Sequence, residues 1–212
     1  TLPEDRRIAF SVKRIWIGAR EVVADRVALG YTIGAGLVSG AFMGYLNSAQ
    51  QIFQDQYGLG EKFPLYFSII AISLGGASFL NGRLVMRFGM RALSNWSVQM
   101  LVFLSVSFAL LGFIHAGNPS LLILMVYLMA SFFCVGILFG NMNSLAMEPL
   151  GHIAGVGAAV VGSLSTFISV PLGIVIGQVY NNTILPLVIG FAILSTLSLF
   201  TMRWAQKEVP LQ

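Results

Sequence analysis

The sequence predicts an all-α fold, a polytopic membrane protein of six transmembrane helices, on three observations. The 212 residues are 57% hydrophobic and only 9% charged, with mean hydropathy +0.84. A water-soluble domain carries about a quarter of its residues charged, so this chain cannot cover itself with a hydrated surface. The apolar residues fall into six stretches, Val27 to Phe53, Pro64 to Leu80, Asn95 to His115, Ser120 to Asn141, Gly155 to Val179 and Ile184 to Trp204. Most approach or exceed the roughly 20 residues that a helix needs to cross the hydrocarbon. The basic residues, finally, lie between alternate stretches, as the retention of Lys and Arg on the side of insertion requires.

In chain order, Thr1-Leu2-Pro3-Glu4-Asp5-Arg6-Arg7 has neither an initiator Met nor the charged, apolar and small-residue regions of a signal peptide. It reads as the middle of a longer polypeptide. Ile8, Val12, Ile15, Ala19 and Val22 then recur at helical spacing with Lys13, Arg14 and Arg20 turned elsewhere, the pattern of a helix lying on the bilayer surface. The expected organisation is residues 1–26 as a cytoplasmic loop segment with this interfacial helix, 27–204 as the six-helix bundle, and 205–212 as a cytoplasmic tail.

Orientation follows from the charges. Arg6, Arg7, Lys13, Arg14, Arg20 and Arg26 precede the first span, Arg83, Arg87 and Arg91 lie between the second and third, and Arg203 and Lys207 close the last. With alternating spans these share one side and leave Lys62 on the other, so both termini are expected in the cytoplasm. The same distribution excludes a nucleic-acid partner despite a pI near 9.5, because the positive charge is spread over membrane-flanking turns.

The first span repeats glycine every fourth residue, Gly36, Gly40 and Gly44, and Ser48 extends the row. Small residues at this spacing let helices approach backbone to backbone in lipid, where apolar burial does not drive association. Gly173 and Gly177 repeat the pattern in the fifth span beside Pro171, which removes a backbone donor and is expected to kink the helix. Ordinary close packing and a need for helices to slide or bend both account for these rows.

Polar residues inside spans are costly in lipid and face protein or a water-filled cavity. Tyr127, Ser131, Cys134, Leu138 and Asn141 share one face of the fourth span. Tyr45, Asn47, Ser48, Gln50 and Gln51 gather toward the outer end of the first, and Ser163, Ser165, Thr166, Ser169 and Gln178 lie in the fifth. An isolated Ser or Thr can simply bond a carbonyl one turn back. No Asp, Glu, Lys or Arg lies near the middle of any span. A proton relay needs a titrating intramembrane group, and none is visible. Glu148, before Pro149, sits at the inner end of the fourth span as a cap or loop contact, and His115 and His152 lie at span ends.

The single cysteine, Cys134, excludes a disulfide framework and leaves a metal cluster unsupported. No cofactor is expected. Catalysis is disfavoured: the serines around Ser163 and Ser165 lack a Gly-x-Ser-x-Gly turn and a buried histidine partner. A six-helix water channel needs two Asn-Pro-Ala half-helices, whereas Asn118-Pro119-Ser120 reads as a turn before a helix start.

Between the second and third spans stands Gly82-Arg83-Leu84-Val85-Met86-Arg87-Phe88-Gly89-Met90-Arg91, a basic turn. It resembles the Gly-x-Leu-x-Asp-Arg-x-Gly-Arg-Arg/Lys loop of major facilitator superfamily transporters, matching at Gly82, Leu84, Arg87, Gly89 and Arg91. Met86 replaces the acidic residue and Met90 a basic one, which puts in doubt a charge lock between the loop and a neighbouring helix. Such loss is common in the second copy of the motif, so the resemblance implies the C-terminal half of a twelve-helix fold. Phe42-Met43-Gly44-Tyr45, Tyr57-Gly58-Leu59, Asn81-Gly82-Arg83-Leu84 and Gly151-His152-Ile153-Ala154-Gly155 are similar to the bicyclomycin- and chloramphenicol-resistance (Bcr/CflA) branch of drug:proton antiporters.

That resemblance implies a carrier of the bacterial inner membrane that exports a small amphipathic substrate by alternating access. The first and fourth helices would line its cavity, making Tyr45, Asn47, Tyr127, Ser131 and Asn141 the candidate substrate wall. Arg83, Arg87 and Arg91 would hold the loop at the anionic leaflet, by topology alone or by bonding the ends of neighbouring helices. The partners implied are the lipid bilayer, an N-terminal six-helix half and protons, whose coupling site would lie in that half. The alternative is a non-transporting membrane module that pairs with another membrane protein.

Overall fold

The computed structural model describes residues 12–207, and the features expected at Thr1 to Arg7, at Ile8 and beyond Lys207 lie outside the described residues. Seven α-helices follow one another: α1 (Val12–Ala24), α2 (Arg26–Gln50), α3 (Phe63–Phe88), α4 (Met90–Ile114), α5 (Leu121–Met147), α6 (Ala154–Gln178) and α7 (Leu185–Gln206). Among the described residues there is no strand. The apolar stretch Leu121–Gln178 is 58 residues long. At about 1.5 Å per residue it is far longer than one crossing of a roughly 30 Å core. It divides at the 3-10 turn Glu148–Ile153, where Leu150 leaves helical geometry (φ −98°, ψ 15°). Six helices, α2 to α7, are therefore long and apolar enough to cross a membrane, and the chain is an integral membrane protein.

Helix ends follow local chemistry. Asp25 caps α2 by accepting the Ala28 amide at 2.7 Å, the role an acidic residue takes at a free helix N-terminus. Pro64 and Pro186 lie in the first turns of α3 and α7, where a missing N–H costs nothing. α2 continues into a π-helical segment, Gln51–Gln56. Pro171 lies inside α6, which continues as one helix from Ala154 to Gln178.

The second span differs from the sequence expectation. It is not the shortest and does not end at Leu80: α3 runs 26 residues to Phe88, so most of the basic turn is helix. Nothing from Asn81 to Phe88 breaks a helix, and long arginine side chains reach an interface from a helix end without unwinding it. The chain turns on Gly89 alone, at φ 79° and ψ 152°, a conformation that favours glycine.

The helix pairings have an internal symmetry. α2 packs on α6, α7 and α5, while α5 packs on α3, α4 and α2, and α4 packs on α7. Exchanging α2–α4 for α5–α7 maps this set onto itself. Each triplet has three crossings, so the second enters from the opposite end, the arrangement of an inverted-topology repeat. Consecutive helices α2 and α3 hardly touch, and α3 is much the least buried of the apolar segments.

α1 is docked against the bundle: Gly18 and Val22 are buried, and Gly18 faces Val156 near the start of α6. Trp16 and Val23 on its outer side are exposed.

Candidate functional site

The glycines of α2 and α6 interlock along one seam. A methyl group at Gly36 would lie 2.9 Å from Ile168, one at Gly40 3.1 Å from Leu172, and one at Gly44 2.8 Å from Ile176. From the other side Gly173 faces Met43 and Gly177 faces Asn47. Ser165 crosses the same seam, its hydroxyl donating to the Thr32 carbonyl at 3.1 Å. With each glycine filled by a neighbour, the two backbones are in close contact, and dispersion holds helices that lipid would not otherwise drive together.

The structure directs attention to a relationship the residue-by-residue reading missed. Gly40-Ala41-Phe42-Met43-Gly44-Tyr45-Leu46-Asn47-Ser48 in α2 and Gly136-Ile137-Leu138-Phe139-Gly140-Asn141-Met142-Asn143-Ser144 in α5 share the frame Gly-x-x-x-Gly-x-x-Asn-Ser. These helices are equivalent under the packing symmetry. Even the local bonding repeats: Ser48 donates to the Gly44 carbonyl at 2.8 Å and Ser144 to the Gly140 carbonyl at 2.9 Å. A search for self-similarity at an offset of 96 residues would have found the pair.

Within the frame, Tyr45 and Asn141 occupy the same position and have different surroundings. Tyr45 is 2% exposed, and its hydroxyl has no hydrogen-bond partner among the described residues. Its ring lies nearly parallel to Phe67 of α3 (centroids 5.9 Å, 14°) and edge-on to Phe132 of α5 (4.6 Å, 70°). Phe42 extends the cluster, tilted against Phe132 at 5.7 Å and perpendicular to Phe139 at 5.4 Å. Asn141, equally buried, exchanges two hydrogen bonds of 2.9 Å with Asn81 of α3, each amide donating to the other's carbonyl.

The five predicted wall residues therefore do not form one surface. The α5 stripe is buried along its length, meeting α4 at Tyr127 and α3 at Asn141. The Tyr127 ring stacks on Phe108 at 4.1 Å and 6°, and its hydroxyl donates to Ser105 at 3.3 Å. Ser131 lies one turn further on, fully buried. Asn47 is exposed at the far end of α2.

The arginine-rich end carries the charged contacts. Arg91 pairs with Glu148 at 2.8 Å, linking the start of α4 to the end of α5. The loop thus has an ionic tie to a neighbouring helix although Met86 holds the motif's acidic position; Met86 itself is 88% exposed. Both partners are a third or more exposed, so the pair contributes about 0–1 kcal/mol. Arg83 and Arg87 lie over the rings of Phe79 and Phe88, at 5.7 Å and 5.1 Å. Gly82 faces open space, and Leu84 packs on a small apolar cluster of Ala77, Leu93 and Ile137. His152 contacts Glu21 at 2.9 Å, tying α1 to the turn before α6.

The opposite end is held by neutral bonds. Tyr57 donates to the Pro119 carbonyl at 2.7 Å, Gln56 to Asn118 at 2.8 Å, and the Ile184 amide to the Gly117 carbonyl at 3.1 Å. Burial pushes the Tyr57 phenol up to about 12, so it stays a donor across the physiological range.

In comparison with known proteins, the chain is similar to YdgK, an uncharacterized MFS-type transporter of Bacillus subtilis (strain 168), with 26% identity over 166 residues. The match covers 77% of this chain, and the chain spans about 40% of the relative's length. No family model and no solved structure matches. The similarity and the six apolar helices together support an integral membrane protein that resembles part of an MFS-type transporter.

Proposed function

We propose that the chain is the C-terminal six-helix half of a secondary transporter that moves small amphipathic compounds or drugs outward by alternating access, in the manner of the Bcr/CflA antiporters. In this reading residues 27–204 are the bundle, flanked by cytoplasmic segments 1–26 and 205–212, with α1 at the cytoplasmic surface of a bacterial inner membrane. α2 to α7 carry no acidic residue. Proton coupling is accordingly placed in the N-terminal half.

The observation that carries the proposal is a pair of bare small-residue faces. On α3, Ser68, Ala71, Gly75, Ser78 and Gly82 form an exposed row, and on α6, Gly155, Ala159, Gly162 and Thr166 form another. A methyl group added at Gly75, Gly82, Gly155 or Gly162 would meet nothing within 4 Å among the described residues. α3 and α6 are equivalents under the inverted repeat, so both faces suit helices of a second, similar bundle approaching closely.

The test is transport by the full-length protein in proteoliposomes under an imposed pH gradient. Gly75→Leu and Gly162→Leu should cut transport more than roughly tenfold, the scale of a lost 1.4 kcal/mol, while the purified protein remains helical and monodisperse. Undiminished transport in both variants sinks the docking of a second bundle on these faces. Transport that survives neutralising every acidic residue of the other half sinks the placement of proton coupling there.

A further inference from the structure

We propose that Tyr45 is the hydrogen-bond donor of a slot for an uncharged, planar aromatic substrate, and that the Phe67 ring occupies this slot when no substrate is bound. The inference rests on the transporter reading above and names the substrate class at its cavity.

The hydroxyl of Tyr45 is a buried donor with no acceptor among the described residues. A buried polar group left unmade costs about as much as a hydrogen bond lost, so almost every such group in a folded protein is satisfied, and an exception calls for a partner that arrives later. Around it the lining is aromatic: Phe67 lies parallel to one face of the ring at 5.9 Å, and Phe132 meets it edge-on at 4.6 Å. Such a lining favours a flat π-system over an aliphatic guest.

Phe67 is suited to give way. It is only partly buried, and it belongs to α3, which is packed on α5 and scarcely on α2. Rings bridge α2 to α3 here, so withdrawing Phe67 uncovers one face of Tyr45 without breaking a backbone seam. A planar guest in its place keeps an aromatic neighbour for Tyr45 and, tilted so that its edge reaches the phenol plane, adds an acceptor for the orphan hydroxyl.

The charge of the guest is set by what the walls lack. α2, α3 and α5 contain no Asp or Glu, and their arginines, Arg26, Arg83 and Arg87, lie in the first turn of α2 and the last two turns of α3. A cation would find no counter-charge on these helices and would lose hydration on entry. An uncharged ring system with a carbonyl or ring-nitrogen acceptor at its edge meets every requirement.

The experiment uses three probes of one shape on the full-length protein in nanodiscs, with binding corrected for empty nanodiscs: acridone, which carries an acceptor; anthracene, which does not; and the cation N-methylacridinium. Acridone should bind tightest. Tyr45→Phe should weaken acridone about fivefold to tenfold, the scale of one hydrogen bond, leave anthracene unchanged, and leave thermal stability unchanged or slightly raised. Phe67→Ala, which empties the slot, should tighten both neutral probes. An unchanged acridone affinity in either variant, or N-methylacridinium binding as tightly as acridone, overturns the proposal. If the binding pattern holds but acridone is not moved across proteoliposomes, the carrier reading fails and the site stands.

Discussion

In α2 the residue after the second glycine of the shared frame is Tyr45, whose hydroxyl has no partner among the described residues; in α5 it is Asn141, bound on both sides of its amide to Asn81. The second glycine of the frame differs in the same sense. Gly44 is filled by Ile176, whereas the nearest neighbour of a methyl group at Gly140 would be Asn81, at 3.8 Å. At the second glycine one copy is closed by apolar packing and leaves a polar atom free beside it; the other is open there and satisfies its polar atoms. The inverted repeat has thus kept its backbone chemistry and divided its roles, a lock between α3 and α5 and an unfilled donor between α2 and α3.

The comparison breaks most sharply at the glycines. A side chain at Gly136 would start 2.5 Å from the Leu74 carbonyl, so backbone would have to shift. Gly136→Leu and Gly44→Leu should each cost more than about 3 kcal/mol, in the range of severe overpacking, and be read as lost monodisperse protein on size exclusion. Gly140→Ala should change the melting temperature little, costing less than about 1 kcal/mol. A Gly140→Ala variant as damaged as Gly44→Leu would mean that the second glycine of the frame is closed in both copies.

Next comes the amide pair. Asn141→Ala strands the Asn81 amide beside α5 and should cost about 1–3 kcal/mol. If the two amides act as a unit, the double change Asn81→Ala with Asn141→Ala costs less than the sum of the singles. Additive losses would show that the pair is incidental and that the two copies do not differ in role.

How far such differences could be read from the sequence depends on the solvent. The six crossings, the glycine rows and the arginine-rich end are compositional and were legible, because a membrane demands apolar length and charge asymmetry whatever the packing. Which side of each helix is buried was not, since lipid and protein interior both accept Leu and Phe, and periodicity loses its meaning. Hence the Tyr127 to Asn141 stripe could be read as one polar face without revealing that packing covers it. The partners of Tyr45 come from Phe67 and Phe132, distant positions with no local spacing to signal them. The charge of Asn81 to Phe88 predicts a loop, whereas the helix runs on through it to Gly89, where the chain turns.

The smallest effect concerns the end opposite the arginines, where neutral bonds replace the ion pairs. Tyr57→Phe should remove about 1 kcal/mol by deleting its bond to the Pro119 carbonyl. The folded phenol is raised from 10.0 to about 12, so the protonated form is favoured by folding. Its contribution is fully present below pH 10, falls as pH rises from 10 toward 12, and is gone above the folded value. Thermal unfolding in detergent from pH 8 to 11 should therefore show a decline above pH 10 in the native protein that is shallower in Tyr57→Phe. Equal slopes would mean that this phenol is hydrated in the folded protein and that the neutral end is held by Gln56 and Ile184 without it.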